Sequence, residues 1–349
     1  MRSYDITEWG RPLQERLHEN PTPQGSEVLL AVEGCGVCHS DIHIRDGFLD
    51  LGDGCKVSFE SLGVKLPFTL GHEIVGKVVA VGPSADVPLG ARRVVYPWIG
   101  CGECRHCRGS DELACERNAS LGIRRAGGFA DHVLVPHHRY LLDFGKLEPH
   151  VAATCACSGL TAYSALRKLP QYGKSDTLLL IGAGGLGLAA LNLARLVTSA
   201  RIVVADINTT KLAAAERMGG CEVFDMSVPQ PAARLLAWLG EGLRGAIDFV
   251  GSPATLDFAM RSAGKSATII VVGLFGGALS LSTALLPSRN LTLRGSYVGT
   301  LNEMRDLLGQ LQEREVLRVP LERIPLRDIN VALEALSAGT AGGRFVAVP

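Results

Sequence analysis

The chain has 349 residues, 47% of them hydrophobic, and its 35 Lys plus Arg balance 35 Asp plus Glu to a formal net charge of zero. That length exceeds what one hydrophobic core sustains, so two domains are expected. With no block of like charge, the balance speaks against nucleic acid or an anionic membrane surface as partner and favours a small, weakly charged ligand.

The opening Met1-Arg-Ser-Tyr-Asp-Ile-Thr-Glu-Trp-Gly10 has no apolar signal core, and no stretch has the uninterrupted apolar length of a membrane span. A soluble, cytoplasmic protein is expected. In that reducing setting ten cysteines read as metal ligands and buried thiols rather than disulfides.

From residue 27 to about 136, short β-rich runs (28–32, 74–81, 93–96, 130–135) alternate with Gly and Pro and predict a compact β-domain. Three ligand-bearing segments punctuate the chain: Cys38-His39-Ser40-Asp41-Ile42-His43, then Gly71-His72-Glu73, then Cys155-Ala156-Cys157. Ligands drawn from separate segments suggest an open metal site. Cys38, His72 and Cys157 offer two thiolates and an imidazole, a donor set that suits a zinc ion with its fourth position free.

Cys101, Cys104, Cys107 and Cys115 form a Cys-x2-Cys-x2-Cys-x7-Cys run. Four thiolates at about 2.3 Å close the shell of a tetrahedral zinc, so this second site is structural and leaves no position for substrate. A disulfide-stapled loop is the alternative, but a chain of this size does not need staples.

From about residue 175 the rhythm becomes strand, helix, strand. Strands are predicted at 177–182, 201–206, 221–224, 246–250, 267–273 and 291–294, with helices at 186–198, 210–218 and 255–262, the pattern of a doubly wound parallel sheet. The tail adds helices at 301–315 and 329–338 and is expected to return to the first domain.

Gly182-Ala183-Gly184-Gly185-Leu186-Gly187 follows the first of these strands and opens a helix. Gly182 permits the tight turn, Gly184 lets the backbone approach a pyrophosphate, and Gly187 allows close helix-to-strand packing. Asp206 ends the second strand at the spacing of a carboxylate that accepts the adenosine ribose hydroxyls and repels a 2′-phosphate. Ile207 and Asn208 bring no cation to welcome one, so NAD is expected over NADP. Lys211 either reaches the same ribose or stays a solvated helix lysine.

With Gly36-Val-Cys-His-Ser-Asp41, Gly71-His-Glu73, the four-cysteine lobe, Cys157-Ser-Gly-Leu-Thr-Ala-Tyr163 and the Gly182 fingerprint all in order, the chain resembles the zinc-dependent medium-chain alcohol dehydrogenases over nearly its whole length. The resemblance implies an α/β protein with a GroES-like β-rich catalytic domain (residues 1–153 and 297–349) and a Rossmann NAD-binding domain (154–296). It implies two Zn2+ per subunit, one catalytic on Cys38, His72 and Cys157 and one structural. Asp41 would orient His72, and Glu73 would be the acidic neighbour of the metal or a buried ion-pair partner. Ser40 and His43 would pass the alcohol proton towards solvent. His39, Thr161, Gly185, Leu186, Val272, Leu274 and Arg344 would contact the cofactor, His39 and Arg344 near its pyrophosphate. In the same resemblance Cys35 stays off the metal, and Cys157 is preferred over its rival Cys155.

Trp98 resembles the aromatic wall of the substrate pocket, with Phe48 and Leu121 as further lining, which suits apolar or aromatic alcohols. Residues 48–66 are longer than the usual link to Gly-His-Glu; such a loop either trims the channel or serves as a surface excursion or subunit contact. The expected activity is reversible hydride transfer between a primary or secondary alcohol and NAD, in a homo-oligomer, tetramer or dimer. The competing expectations are a polyol dehydrogenase, which needs polar groups in the cleft, and a non-catalytic zinc and dinucleotide sensor, which needs a missing ligand or relay group.

Overall fold

Leu178-Leu179-Leu180-Ile181 offers no residue suited to water, and it forms the buried centre of a six-stranded sheet. In the computed structural model, which describes residues 1–314 and 320–349, the strands run from edge to edge as Glu222–Asp225, Arg201–Asp206, Thr177–Ile181, Leu243–Asp248, Ala263–Val271 and Thr292–Gly295. Every neighbouring pair is parallel. Because side chains alternate along a strand, Leu178 and Leu180 join one apolar cluster with Leu188 and Leu191 of helix Gly185–Val197. Leu179 and Ile181 join another with Leu235 and Phe258 on the opposite face. Each such side chain contributes about 1.5–3 kcal/mol by burial, so this one strand anchors both layers.

The strand order reverses beside Thr177–Ile181, opening a crevice at the strand C-termini, the place where open α/β sheets take ligands. All six strands lie within a few residues of their predicted positions. Helix Pro231–Leu239 was not anticipated, although Pro at its first turn and Gly240 in the left-handed conformation after it are the ordinary start and stop signals.

The first part of the chain builds a mainly antiparallel, seven-stranded sheet around Val28–Gly36, which pairs with Glu73–Val81, His132–Val135 and the last strand, Arg344–Val348. The tail therefore joins the first sheet, as expected. Its helices span Leu301–Glu313 and Ile329–Ser337; Glu315, the expected end of the first, lies outside the described residues.

A buried rod leads from one sheet to the other: helix Pro149–Thr154, a π-helical turn at Cys155–Gly159, then helix Leu160–Arg167. The long link folds as a hairpin, Phe48–Gly52 against Cys55–Ser58. Gly52, at φ 89°, lets its tip lie flat on the backbone of Gly277 beyond the parallel sheet, where a β-carbon would collide. No helix among the described residues is long and apolar enough to cross a membrane.

Candidate active site

Cys38 sits at the N-cap of helix His39–Asp46, and its backbone N–H donates to Asp41 Oδ2 at 2.8 Å. The same Asp41 turns its other oxygen to His72 Nδ1, 3.2 Å away, with both side chains fully buried. This is a contact rather than a well-aligned hydrogen bond, since both atoms lack a partner of good geometry among the described residues. One carboxylate thus holds two of the three ligand segments. Gly71, at φ 93°, makes the turn that delivers His72; a β-carbon there would lie 2.8 Å from Cys35 Sγ. Cys35 fills space beneath the turn.

Cys157 comes from the π-helical turn, a wider coil often found where a functional side chain must be re-aimed. Its sulfur lies 4.0 Å from Cys38 Sγ, and one atom each of Cys38, His72 and Cys157 fit within 4.8 Å of one another. Cys155 instead directs its thiol to the Val151 carbonyl at 3.5 Å, back along the helix. The hydrogen bond from Cys157 holds the Cys38 thiol well below its ordinary value although burial opposes it. His72 Nε2 is buried without a partner among the described residues. An orphaned imidazole nitrogen beside two sulfurs, backed by a carboxylate on its other nitrogen, fits a zinc ligand set with an outer-shell orienter.

Glu73 is fully buried: Oε1 accepts the Ser158 backbone N–H at 3.2 Å, in the turn bearing Cys157, and Oε2 pairs with the buried Arg344 guanidinium. Burial raises its carboxyl pKa and Arg344 opposes that rise. The stem of Arg344 lies where a side chain on Gly185 would have to go. A chain of contacts therefore runs from His72 and the turn bearing Cys157 to the glycine loop.

The four cysteines of the lobe also come together within 4.8 Å. Cys104 caps the short helix Arg105–Arg108, and backbone N–H groups reach the sulfurs, Cys107 N to Cys104 Sγ at 3.5 Å and Cys101 N to Cys115 Sγ at 3.4 Å. Hydrogen bonds from the Glu103 and Cys104 backbone lower the Cys101 thiol to about 6, the direction a thiolate ligand needs.

In the crevice Gly182 takes φ 97°, and a β-carbon on Gly187 would overlap the Gly182 carbonyl. A β-carbon on Gly184 would meet nothing, so the loop presents an open cradle there. Leu186 opens the helix. Asp206 accepts the Ala183 N–H at 2.7 Å and the Asn208 N–H at 2.9 Å, which ties the acidic strand end to the glycine loop. Lys211 lies in the first turn of helix Thr209–Met218, whose cap is Asn208. Thr161 is buried with a hydroxyl that lacks a partner among the described residues. Val272 is buried beside the crevice, whereas Leu274 is 46% exposed, two residues further along the loop.

Ser40 Oγ lies 3.8 Å from Cys38 Sγ. His43 stands on the same helix with its ring 5.4 Å from that of the exposed His39. Burial, and then the charge of His39, lower the His43 pKa from its ordinary value.

From His72 the Trp98 ring is 5.6 Å away and Tyr297 a further 5.7 Å, edge to face. These two rings stand in a cleft of about 150 Å³ with Leu49, Phe59 and Leu62 of the long link. Three residues of the link thus line this cleft. Two expectations need correction. Phe48 turns outward under the Lys56 ammonium, because neighbours on a strand face opposite sides, and Leu49 takes the wall. Leu121 is packed in the core, while its neighbours Ser120 and Ile123 face the cleft. Tyr297 was missed as a site residue: it follows the last parallel strand, and nothing in its local sequence announces a cleft.

Residues 24–144 match the alcohol dehydrogenase GroES-like domain and residues 185–313 the zinc-binding dehydrogenase domain. Over the full length of both chains the protein is 36% identical to an NAD-dependent alcohol dehydrogenase of Sulfurisphaera tokodaii. It is 31% identical to a D-arabinose 1-dehydrogenase (NADP(+)) of Saccharolobus solfataricus, over 99% of this chain and 96% of the relative. The crystal structure of the alcohol dehydrogenase from Aeropyrum pernix superposes over the whole of both chains with a TM-score of 0.90 at 30% identity. The chain belongs to the zinc-binding medium-chain alcohol dehydrogenase family, a family of oxidoreductases.

Proposed function

We propose that this protein is an NAD-dependent alcohol dehydrogenase that interconverts primary or secondary alcohols, apolar or aromatic in body, with their aldehydes or ketones. The observation that carries it is His72 Nε2, buried without a partner among the described residues, beside Cys38 and Cys157 and joined to the dinucleotide loop through Glu73 and Arg344.

Zinc held by these three residues supplies the Lewis acidity that makes an alcohol hydroxyl acidic near neutral pH. NAD supplies the hydride acceptor. The chain's own residues do the rest: Asp41 keeps His72 aimed, Ser40 takes the hydroxyl proton near Cys38, and His43, held neutral by its surroundings, passes it outward. Thr161, Gly182, Gly184, Gly185, Leu186, Gly187, Val272 and Leu274 bind the dinucleotide, with His39 and Arg344 towards its pyrophosphate. Asp206 receives the ribose hydroxyls, and the absence of a cation at Ile207 and Asn208 supports NAD over NADP. Cys101, Cys104, Cys107 and Cys115 hold a structural second zinc.

The catalytic domain comprises residues 1–153 and 297–349 and the cofactor domain 154–296. A homo-oligomer is supported by Thr292–Gly295, a strand on the edge of the parallel sheet with no buried residue. The deciding experiment follows NADH and NADPH formation with benzyl alcohol, linear alcohols, sorbitol and D-arabinose. Turnover of benzyl alcohol with NAD supports the reading; turnover of polyols or sugars alone, or of nothing, overturns it.

A further inference from the structure

The wall of the cleft is apolar through Leu49, Phe59, Leu62 and Ile123, yet a cationic residue, Arg124, also lines it. Arg carries five N–H donors, and among the described residues the Arg124 side chain makes one hydrogen bond, from Nη1 to the Asn118 carbonyl at 3.3 Å. The one carboxylate that shares the cleft does not answer it: Glu112 is turned to Arg139, whose Nη2 donates to Oε1 at 2.8 Å. With Glu112 committed to Arg139, Arg124 has no carboxylate partner among the described residues.

A cation on the wall of an otherwise mostly apolar cleft calls for an anion, and the planar guanidinium matches a carboxylate with two parallel hydrogen bonds. Arg124 shares the cleft with Trp98 and Tyr297, ring surfaces suited to a flat apolar body, and Trp98 in turn lies 5.6 Å from the His72 ring. We propose that Arg124 is a specificity residue that binds a substrate carboxylate, so that the preferred substrates are hydroxy acids with an apolar or aromatic body between the alcohol and the acid. The inference rests on the alcohol dehydrogenase reading above. The carboxylate takes no part in the chemistry: the alcohol carbon gives a hydride to NAD+, the hydroxyl gives up its proton, and the products are aldehyde, NADH and H+.

The test compares 3- and 4-(hydroxymethyl)benzoate with 4-methylbenzyl alcohol, in the zinc-loaded enzyme and in Arg124→Gln and Arg124→Lys. A charge-assisted hydrogen bond predicts a KM for at least one acid about tenfold or more below that of the neutral alcohol. In Arg124→Gln the acid-to-neutral ratio of kcat/KM falls by a similar factor, through KM, and Arg124→Lys restores part of it. Raised ionic strength weakens the acid alone. If both acids react no better than the neutral alcohol, or if Arg124→Gln lowers all substrates equally, the inference falls while the enzyme reading stands. If no alcohol turns over, it is the enzyme reading that falls.

Discussion

The Trp98 indole N–H donates to the Ala156 carbonyl at 2.9 Å, inside the π-helical turn that carries Cys157. A pocket-lining ring is thus also a strut for a metal-ligand segment. Trp98→Phe keeps most of the apolar surface and removes the donor. Losing that buried hydrogen bond should cost about 0.5–1.5 kcal/mol in denaturant unfolding and hasten zinc loss to a chelator. A chelator rate equal to that of the parent would remove the strut.

Glu73 and Arg344 are buried together, so neither tolerates loss of the other. Arg344→Gln should destabilise the protein by about 3–5 kcal/mol, because a buried carboxylate loses its partner, and adding Glu73→Gln should recover a large part. Additive losses in that double-mutant cycle would show that the pair is not coupled.

Cys155 and Cys157 differ in where their sulfurs point. Metal analysis of Cys157→Ala should give one zinc per chain where the parent and Cys155→Ala give two, with turnover lost only in the first. The opposite pattern would exchange the two residues.

The glycine loop separates packing from binding. Gly187→Val should lower the melting temperature, because the backbone leaves no room for a β-carbon. Gly184→Val should leave melting nearly unchanged and weaken NAD binding measured by calorimetry, since the new side chain fills open space.

His43 has a pKa below the ordinary histidine value of about 6.5, because burial and His39 disfavour its charged form. The acid limb of kcat against pH should therefore turn below about 6.5, and activity should rise as His43 deprotonates. The folded state binds this proton less readily than the unfolded chain, so the contribution to stability is present above about pH 6.5 and shrinks as pH falls through the lowered value. His43→Gln should lower kcat about tenfold to hundredfold and abolish that inflection. A profile that keeps the inflection would assign it elsewhere.

The strands of the parallel sheet were legible because buried apolar runs such as Leu178 to Ile181 ended in Gly or Asp, and the order of the segments gave the topology. The two candidate metal sites were legible as donor types, since thiols and an imidazole at these intervals have few other uses. Helix Pro231–Leu239 and the hairpin in the long link were less so: the helix is short, and the hairpin's apolar alternation is irregular.

Local covalent chemistry, read along the chain, determined the strand pattern, the glycine turn and the identity of the metal donors, because each depends on neighbours a few residues apart. Only the tertiary structure decided that Leu49 rather than Phe48 faces the cleft, that Glu73 joins Ser158 to Arg344, and that Tyr297 and Arg124 share a cavity with Trp98. Those relations are made by packing segments far apart in the chain, and a side chain's direction there follows from strand register and from the space its neighbours leave, neither of which is written beside the residue itself.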